Sequence, residues 1–119
     1  MSGFIGDLEV LLVTDEENEL WELMQPLGFE SAVAGMTITA PAGTQTDFCS
    51  VPRVPGVYDM LGNRARRAGT IHDYLYQSHL VDRATADAVL KEMLLENDVD
   101  EVTADAFYLA VRCFGGSHW

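Results

Sequence analysis

Residues 46–63 read TDFCSVPRVPGVYDMLGN, and this stretch divides the chain into two halves that fold by different rules. Pro52, Pro55, Gly56 and Gly62 stand too close together for a helix or a central strand to continue across them, so the stretch is expected to be a loop of defined shape. On its N-terminal side, LEVLLVTD is rich in leucine and β-branched residues and runs into the acidic turn DEENE. ELWELM can pair back onto it as a hairpin. GFESAVAG and MTITAPAG follow, the latter with Met36, Ile38 and Ala40 alternating with threonines before PAG stops it. On the C-terminal side the pattern changes to a helical period, with helices predicted at about 64–78, 83–97 and 101–114. The expected architecture is α+β in one domain, residues 1–119. A small antiparallel sheet spans about 1–45, the loop 46–63, and three packed helices 64–114, the first two an antiparallel pair.

The helix boundaries have chemical reasons. Asp82 is a good N-cap for the second helix, and Asp98 followed by Glu101 resembles a capping box before the third. FGGSHW closes the chain, its two glycines expected to stop the last helix. In that helix Val102, Ala106, Leu109, Ala110 and Cys113 fall at i, i+3/i+4 spacing, which predicts a core stripe. Cys49 and Cys113 are too few for a disulfide framework or a zinc set and are expected to be small buried residues.

Composition removes several function classes. Nineteen acids against seven bases give a net charge of −12, so general nucleic-acid binding and adhesion to anionic membranes are disfavoured. No apolar run approaches the roughly 20 residues of a membrane span. The N-terminus has no basic region before its apolar stretch and so does not read as a secretory signal; synthesis in a cytoplasm is expected. Arg64, Arg66 and Arg67 place three of the seven bases within four residues, either as a solvated helix start or as a grip for a phosphate or an acidic partner surface.

The polar residues with chemical potential lie on the first two helices. At 100° per residue, Ala65, Ala68, Ile71, Leu75 and Tyr76 gather on one face of the first helix with His72 among them, and Asp73 stands at its border. On the second helix Ala86, Val89, Leu90, Met93 and Leu94 form the apolar face, with Asp87 at its edge. Nine residues separate His72 from Asp82, enough for a helix end and a short turn, so the helices return antiparallel and His72 can meet Asp87. A histidine held by a carboxylate has a fixed tautomer and a second nitrogen free to take a proton from water. Asp73 could bind a hard cation, calcium before zinc. Equally, a buried His–Asp hydrogen bond can simply lock two helices together. In the loop, Asp47 either caps a turn or joins Asp73 as a metal ligand. Arg53 either pairs with an acid or anchors an anionic substrate group. His79 and His118 have no partner at useful spacing and are expected at the surface.

Two resemblances sharpen these expectations. GTQTDFCSVPR, IHDYLY, DRATADAVLKEM and YLAVRCFGGSHW, in that order, resemble the phage and prophage family called domain of unknown function 1353, over about residues 27–119. The resemblance implies a phage-related origin and no particular activity; Cys49 stands where that family commonly has a small residue such as Ala. HDYLY is also similar to the H-D-x-x-Y helix of secretory phospholipase A₂, over about 25 residues. That similarity implies His72 as the base, Asp73 as a calcium ligand, Asp87 as the orienter of His72, and Tyr76 as a supporting donor. The glycine-rich calcium loop and the disulfide pattern of those enzymes are absent from this sequence.

Three functions are open at this point. One is a phage-derived hydrolase, metal-assisted or not, acting on an ester or amide bond of the host envelope. Another is a non-catalytic virion or tail-assembly component, made in the host cytoplasm, in which His72 and Asp87 are a clasp. The third is a modulator of a host protein, binding through Arg64, Arg66 and Arg67. An enzyme calls for a solvent-connected cleft at His72, and an assembly component for an apolar patch or an open strand edge.

Overall fold

The computed structural model describes residues 3–14, 20–46 and 63–119, apart from the side chains of residues 14, 63–65 and 118. Six strands precede three helices: β1 (Gly3–Ile5), β2 (Val10–Thr14), β3 (Leu20–Leu23), β4 (Leu27–Ser31), β5 (Met36–Ala40), β6 (Gln45–Thr46), α1 (Asn63–Ser78), α2 (Arg83–Glu96) and α3 (Glu101–Phe114), with a 3₁₀ turn at Gly115–His118. The α+β class and the order of strands before helices are as expected. The strands form two three-stranded antiparallel sheets, in the orders β1-β4-β5 and β2-β3-β6, where one small sheet was expected. The β2–β3 hairpin is the one expected, and the two following segments pair with each other as β4 and β5; the very short β1 and β6 carry too little pattern to be read in advance.

The β1-β4-β5 sheet supplies one wall of the core. Period-two alternation turns Leu27, Phe29 and Ser31 of β4 and Ile38 and Ala40 of β5 inward, and leaves Thr37 and Thr39 exposed. Against these side chains lie Ala68, Ile71 and Leu75 of α1 and Ala86, Val89, Leu90, Met93 and Leu94 of α2, all fully buried. The two helix faces are those predicted, with Ala65 outside the described side chains. A polar tie fixes the sheet to the helices. The Glu92 carboxylate on α2 accepts from Ser31 Oγ at 2.6 Å and from the Ala32 backbone N–H at 2.8 Å, so it caps the β4–β5 turn.

Asp82 caps α2 as expected, accepting from the Thr85 N–H at 2.7 Å. The third helix departs from expectation in two ways. Its N-cap is Asp100, which accepts from Thr103 N at 3.1 Å; Asp98 instead takes φ +63° in the turn that ends α2. Asp tolerates the left-handed region better than most residues, so here it serves the stop and not the start. The predicted core stripe also faces outward. Val102 is 78 % exposed and Leu109 60 %, and Ala106 and Cys113 are exposed too, while Ala104, Phe107 and Val111 on the opposite face are buried. Both faces of α3 are apolar, and packing on α2 selects the one bearing Phe107, whose ring fills the most space. Cys113 is therefore exposed, and Cys49 lies outside the described residues. The α-helix ends at Phe114, but Gly115 has right-handed angles (φ −76°, ψ −11°), so the chain tightens into 3₁₀ geometry without a left-handed glycine stop.

Two capping variants test this assignment by thermal denaturation. Asp100→Ala is expected to lower the melting temperature by about 4 °C through loss of the cap. Asp98→Gly is expected to leave it unchanged or raise it, because glycine adopts φ +63° without a Cβ penalty.

Candidate functional site

The connection between α1 and α2 spans residues 79–82, and their contacts show the antiparallel register directly. Tyr76 meets Arg83 near the turn, and His72 meets Asp87 one turn further away. His72 Nε2 lies 2.8 Å from Asp87 Oδ1, and Tyr76 Oη donates to the same oxygen at 2.6 Å. The other carboxylate oxygen, Oδ2, receives Arg112 Nη1 from α3 at 3.0 Å and has Arg83 Nε at 3.9 Å. Asp87 is fully buried and His72 is 1 % exposed. One carboxylate thus collects hydrogen bonds from α1 and α3, with Arg83 of its own helix as an ion-pair partner.

These contacts set the protonation states. Burial pushes the His72 pKa down from its ordinary 6.5, against the raising effect of Asp87, so the ring is neutral. Burial alone would raise Asp87, but its hydrogen bonds from His72, Tyr76 and Arg112 outweigh that and hold it below the usual carboxylate value. Burial, and then the bond to Asp87, raises the Tyr76 phenol to about 12, so it is a donor at any physiological pH. A neutral ring beside a carboxylate places its proton on Nε2. That leaves Nδ1 as a bare acceptor, and among the described residues this buried atom has no hydrogen-bond partner. A buried acceptor left without a partner costs about 1–3 kcal/mol.

The C-terminus closes the other side of the cluster. Arg83 Nη2 donates to the carbonyls of Val111 and Arg112 at 2.8 and 2.9 Å, capping the end of α3 where the helix dipole favours a cation. The Trp119 ring meets Tyr76 edge-on at 5.1 Å and stacks on His79 at 3.9 Å. His79 is exposed, as expected, but it has this ring partner. The His118 side chain lies outside the described residues. Gly115 is required by the site: a Cβ there would stand 2.7 Å from Tyr76 Oη.

The remaining candidates fall in different places. Asp73 is 8 % exposed, and one of its oxygens accepts from Thr46 Oγ1 of β6, which ties α1 to the second sheet. Among the described residues no three His, Cys, Asp or Glu side chains converge as metal ligands, so these residues alone make no cation shell. Asp47 and Arg53 lie outside the described residues. The arginine cluster is not one uniform patch. Arg67 pairs with Asp7 at 3.5 Å and lies over the Phe4 ring at 5.9 Å, Arg66 is exposed, and the Arg64 side chain is outside the described set. Arg83, Arg112, Thr46 and Trp119 were not among the candidates read from sequence. Arg83 stands four residues before Asp87 and could have been found from that spacing; the others come from distant elements and carry no local signal.

The class defined by this fold and cluster is a small α+β domain whose antiparallel helices hold a buried His–Asp dyad supported by a tyrosine and two arginines. Residues 21–111 match the family described as Protein of unknown function (DUF1353), and the chain belongs to that family. Comparison with curated proteins and with solved structures gave no significant match. No helix among the described residues is long and apolar enough to cross a membrane.

The cluster predicts a pH signature. Because the folded pKa of His72 lies below 6.5, the unfolded chain binds the extra proton first as pH falls. His72 therefore contributes full stability above about pH 6.5, which is lost as pH falls from there towards the folded pKa. Urea midpoints between pH 8 and 5 are expected to decline on acidification, and His72→Gln to flatten that decline. Asp87→Ala, which strands two arginines, a phenol and an imidazole N–H, is expected to cost about 3–5 kcal/mol at neutral pH.

Proposed function

We propose that this chain is a small hydrolase of phage origin that acts on an ester or amide bond of the host envelope, with His72 as general base. The observation that carries the reading is the buried His72 Nδ1, which has no hydrogen-bond partner among the described residues and whose ring is held from behind by Asp87. In this reading a water bound at Nδ1 gives up its proton as its oxygen attacks the substrate carbonyl. The imidazolium that forms is stabilised by Asp87, and its Nδ1 proton then passes to the departing group. Tyr76, Arg83 and Arg112 keep Asp87 ionised and immobile. Asp73 is the position at which a divalent cation, calcium before zinc, would be held, with Asp47 as a second ligand; the proton steps above use neither residue. Arg53 is the anchor for an anionic group of the substrate.

A second reading is favoured by two observations. His72 is 1 % exposed, and among the described residues β2 has a strand neighbour on one side only while exposing Leu11, Leu12 and Val13 at 54 %, 37 % and 48 %. Those features suit a virion or tail-assembly component that docks on larger subunits, made in the host cytoplasm, in which the dyad is a clasp. A host modulator using Arg64, Arg66 and Arg67 draws less support, since Arg67 is engaged with Asp7.

The test is turnover of phospholipid, chromogenic ester and cell-wall substrates by the purified protein, with and without calcium. Hydrolysis reduced about 10²–10⁴-fold by His72→Gln in a folded variant is the expected result. Activity should persist below pH 6.5, because the lowered His72 pKa keeps the base unprotonated there. Absence of turnover on all three, or equal turnover by the variant, would leave the clasp reading. Calorimetric titration of calcium into wild type and Asp73→Asn checks the cation separately: saturable binding lost in the variant makes Asp73 a ligand.

A further inference from the structure

The segment after α3 folds back onto the dyad. Gly115–His118 forms the 3₁₀ turn, and Gly115 passes so close to Tyr76 Oη that a Cβ would stand 2.7 Å from it. Beyond the turn, the half-buried Trp119 ring stands edge-on to Tyr76, with centroids 5.1 Å apart and planes at 90°. Its face lies on the His79 ring, at 3.9 Å and an interplanar angle of 6°. Tyr76 in turn packs on the His72 ring at 4.4 Å, its plane tilted by 44°. A continuous row of rings thus runs from the turn between α1 and α2 to the buried imidazole, in the order His79, Trp119, Tyr76, His72.

We propose that Trp119 is a positioning residue for His72, acting through Tyr76. The Asp87 hydrogen bond holds the far edge of the imidazole at Nε2. The torsion about the Cβ–Cγ bond of a histidine is intrinsically soft, so where Nδ1 points depends on what stands against the ring. Tyr76 stands there, its hydroxyl pinned by Asp87 at 2.6 Å and by Arg83 at 3.3 Å. A pinned hydroxyl leaves the phenol ring free to turn about its own long axis. Trp119, set at right angles against that ring, removes the freedom and so fixes the surface on which His72 rests. The catalytic consequence rests on the hydrolase reading; the hold on the imidazole does not.

The backbone at His79 supports the same assignment. His79 ends α1 at φ +52°, a left-handed angle that glycine adopts freely and a side chain does not, and its N–H donates to the Leu75 carbonyl at 3.0 Å. Glycine would end the helix equally well, but it would bring no ring to back Trp119. The strained position therefore carries the side chain that holds the far face of the tryptophan.

Exchange of the His72 Nε2 proton with water, followed by nuclear magnetic resonance at neutral pH, reads this hold without any substrate. In the wild type this buried, hydrogen-bonded proton is expected to exchange slowly enough to be seen. Trp119→Ala is expected to speed its exchange at least about tenfold, while the backbone amides of Leu90 and Met93 in the core of α2 keep their wild-type rates. Trp119→Phe restores slow exchange. His79→Asn keeps the left-handed angle but removes the ring behind Trp119, and moves the exchange in the same direction by a smaller factor. Where one of the hydrolytic substrates turns over, Trp119→Ala lowers kcat about ten- to a hundredfold at unchanged KM, and Trp119→Phe recovers most of it. Three results overturn the proposal: a wild-type proton that already exchanges too fast to be seen, unchanged exchange in Trp119→Ala, or exchange that rises together with that of the α2 amides. The last would make Trp119 part of the general packing. Absence of turnover counts against the hydrolase reading alone, because the proton exchange decides the positioning role by itself.

Discussion

The buried Asp87 carboxylate is the contact on which the helical half of this protein depends. A carboxylate removed from water is costly unless its lone pairs are filled, and here its four partners are residues 72, 76 and 112, which hydrogen-bond to it, and 83, whose guanidinium pairs with it at 3.9 Å. Two of them lie on α1, one is a turn earlier on α2 itself, and one is near the end of α3. The acceptor therefore fixes the register of the helix pair and, through Arg112, the place of the third helix. Apolar burial around it drives the collapse, but Leu, Val and Ile contacts alone would tolerate a slip along the helices that this cluster does not.

The same constraint reaches the chain's end. Arg83 is held between the Tyr76 hydroxyl and the last carbonyls of α3, which brings Gly115 against Tyr76 so closely that no Cβ fits. Trp119 then lies across Tyr76 and His79. In this setting His72 Nδ1 is a buried nitrogen that the cluster itself leaves unused. Among the described residues, a carboxylate with both oxygens engaged thus stands against an imidazole with one nitrogen that has no hydrogen-bond partner.

Much of this was legible beforehand because α1 and α2 each have one clearly apolar face. When periodicity admits a single inward face, the polar residues on it (His72, Tyr76 and, at the edge, Asp87) are placed with it, and a short connection makes their meeting follow. Helix α3 was read on the wrong face for a matching reason: its sequence is apolar on both sides, so periodicity admits two solutions. Capping shows the same limit. Asp98 and Asp100 are both credible N-caps, and the choice depends on where the preceding helix stops, which Asp98 itself sets by entering the left-handed region.

What the sequence determined by itself was local and one-sided: strands before helices across a proline- and glycine-rich divide, the Asp82 cap, and the inward faces of the first two helices. Each follows from backbone preference or from a single amphipathic pattern, and these act over a few residues. Only the tertiary structure decided that the strands divide into two sheets, that Phe107 is buried while Leu109 is left in water, and that Arg112 completes the shell of Asp87. Those outcomes depend on contacts between residues dozens of positions apart, where packing volume and the cost of a buried charge select among arrangements that local pattern leaves equal.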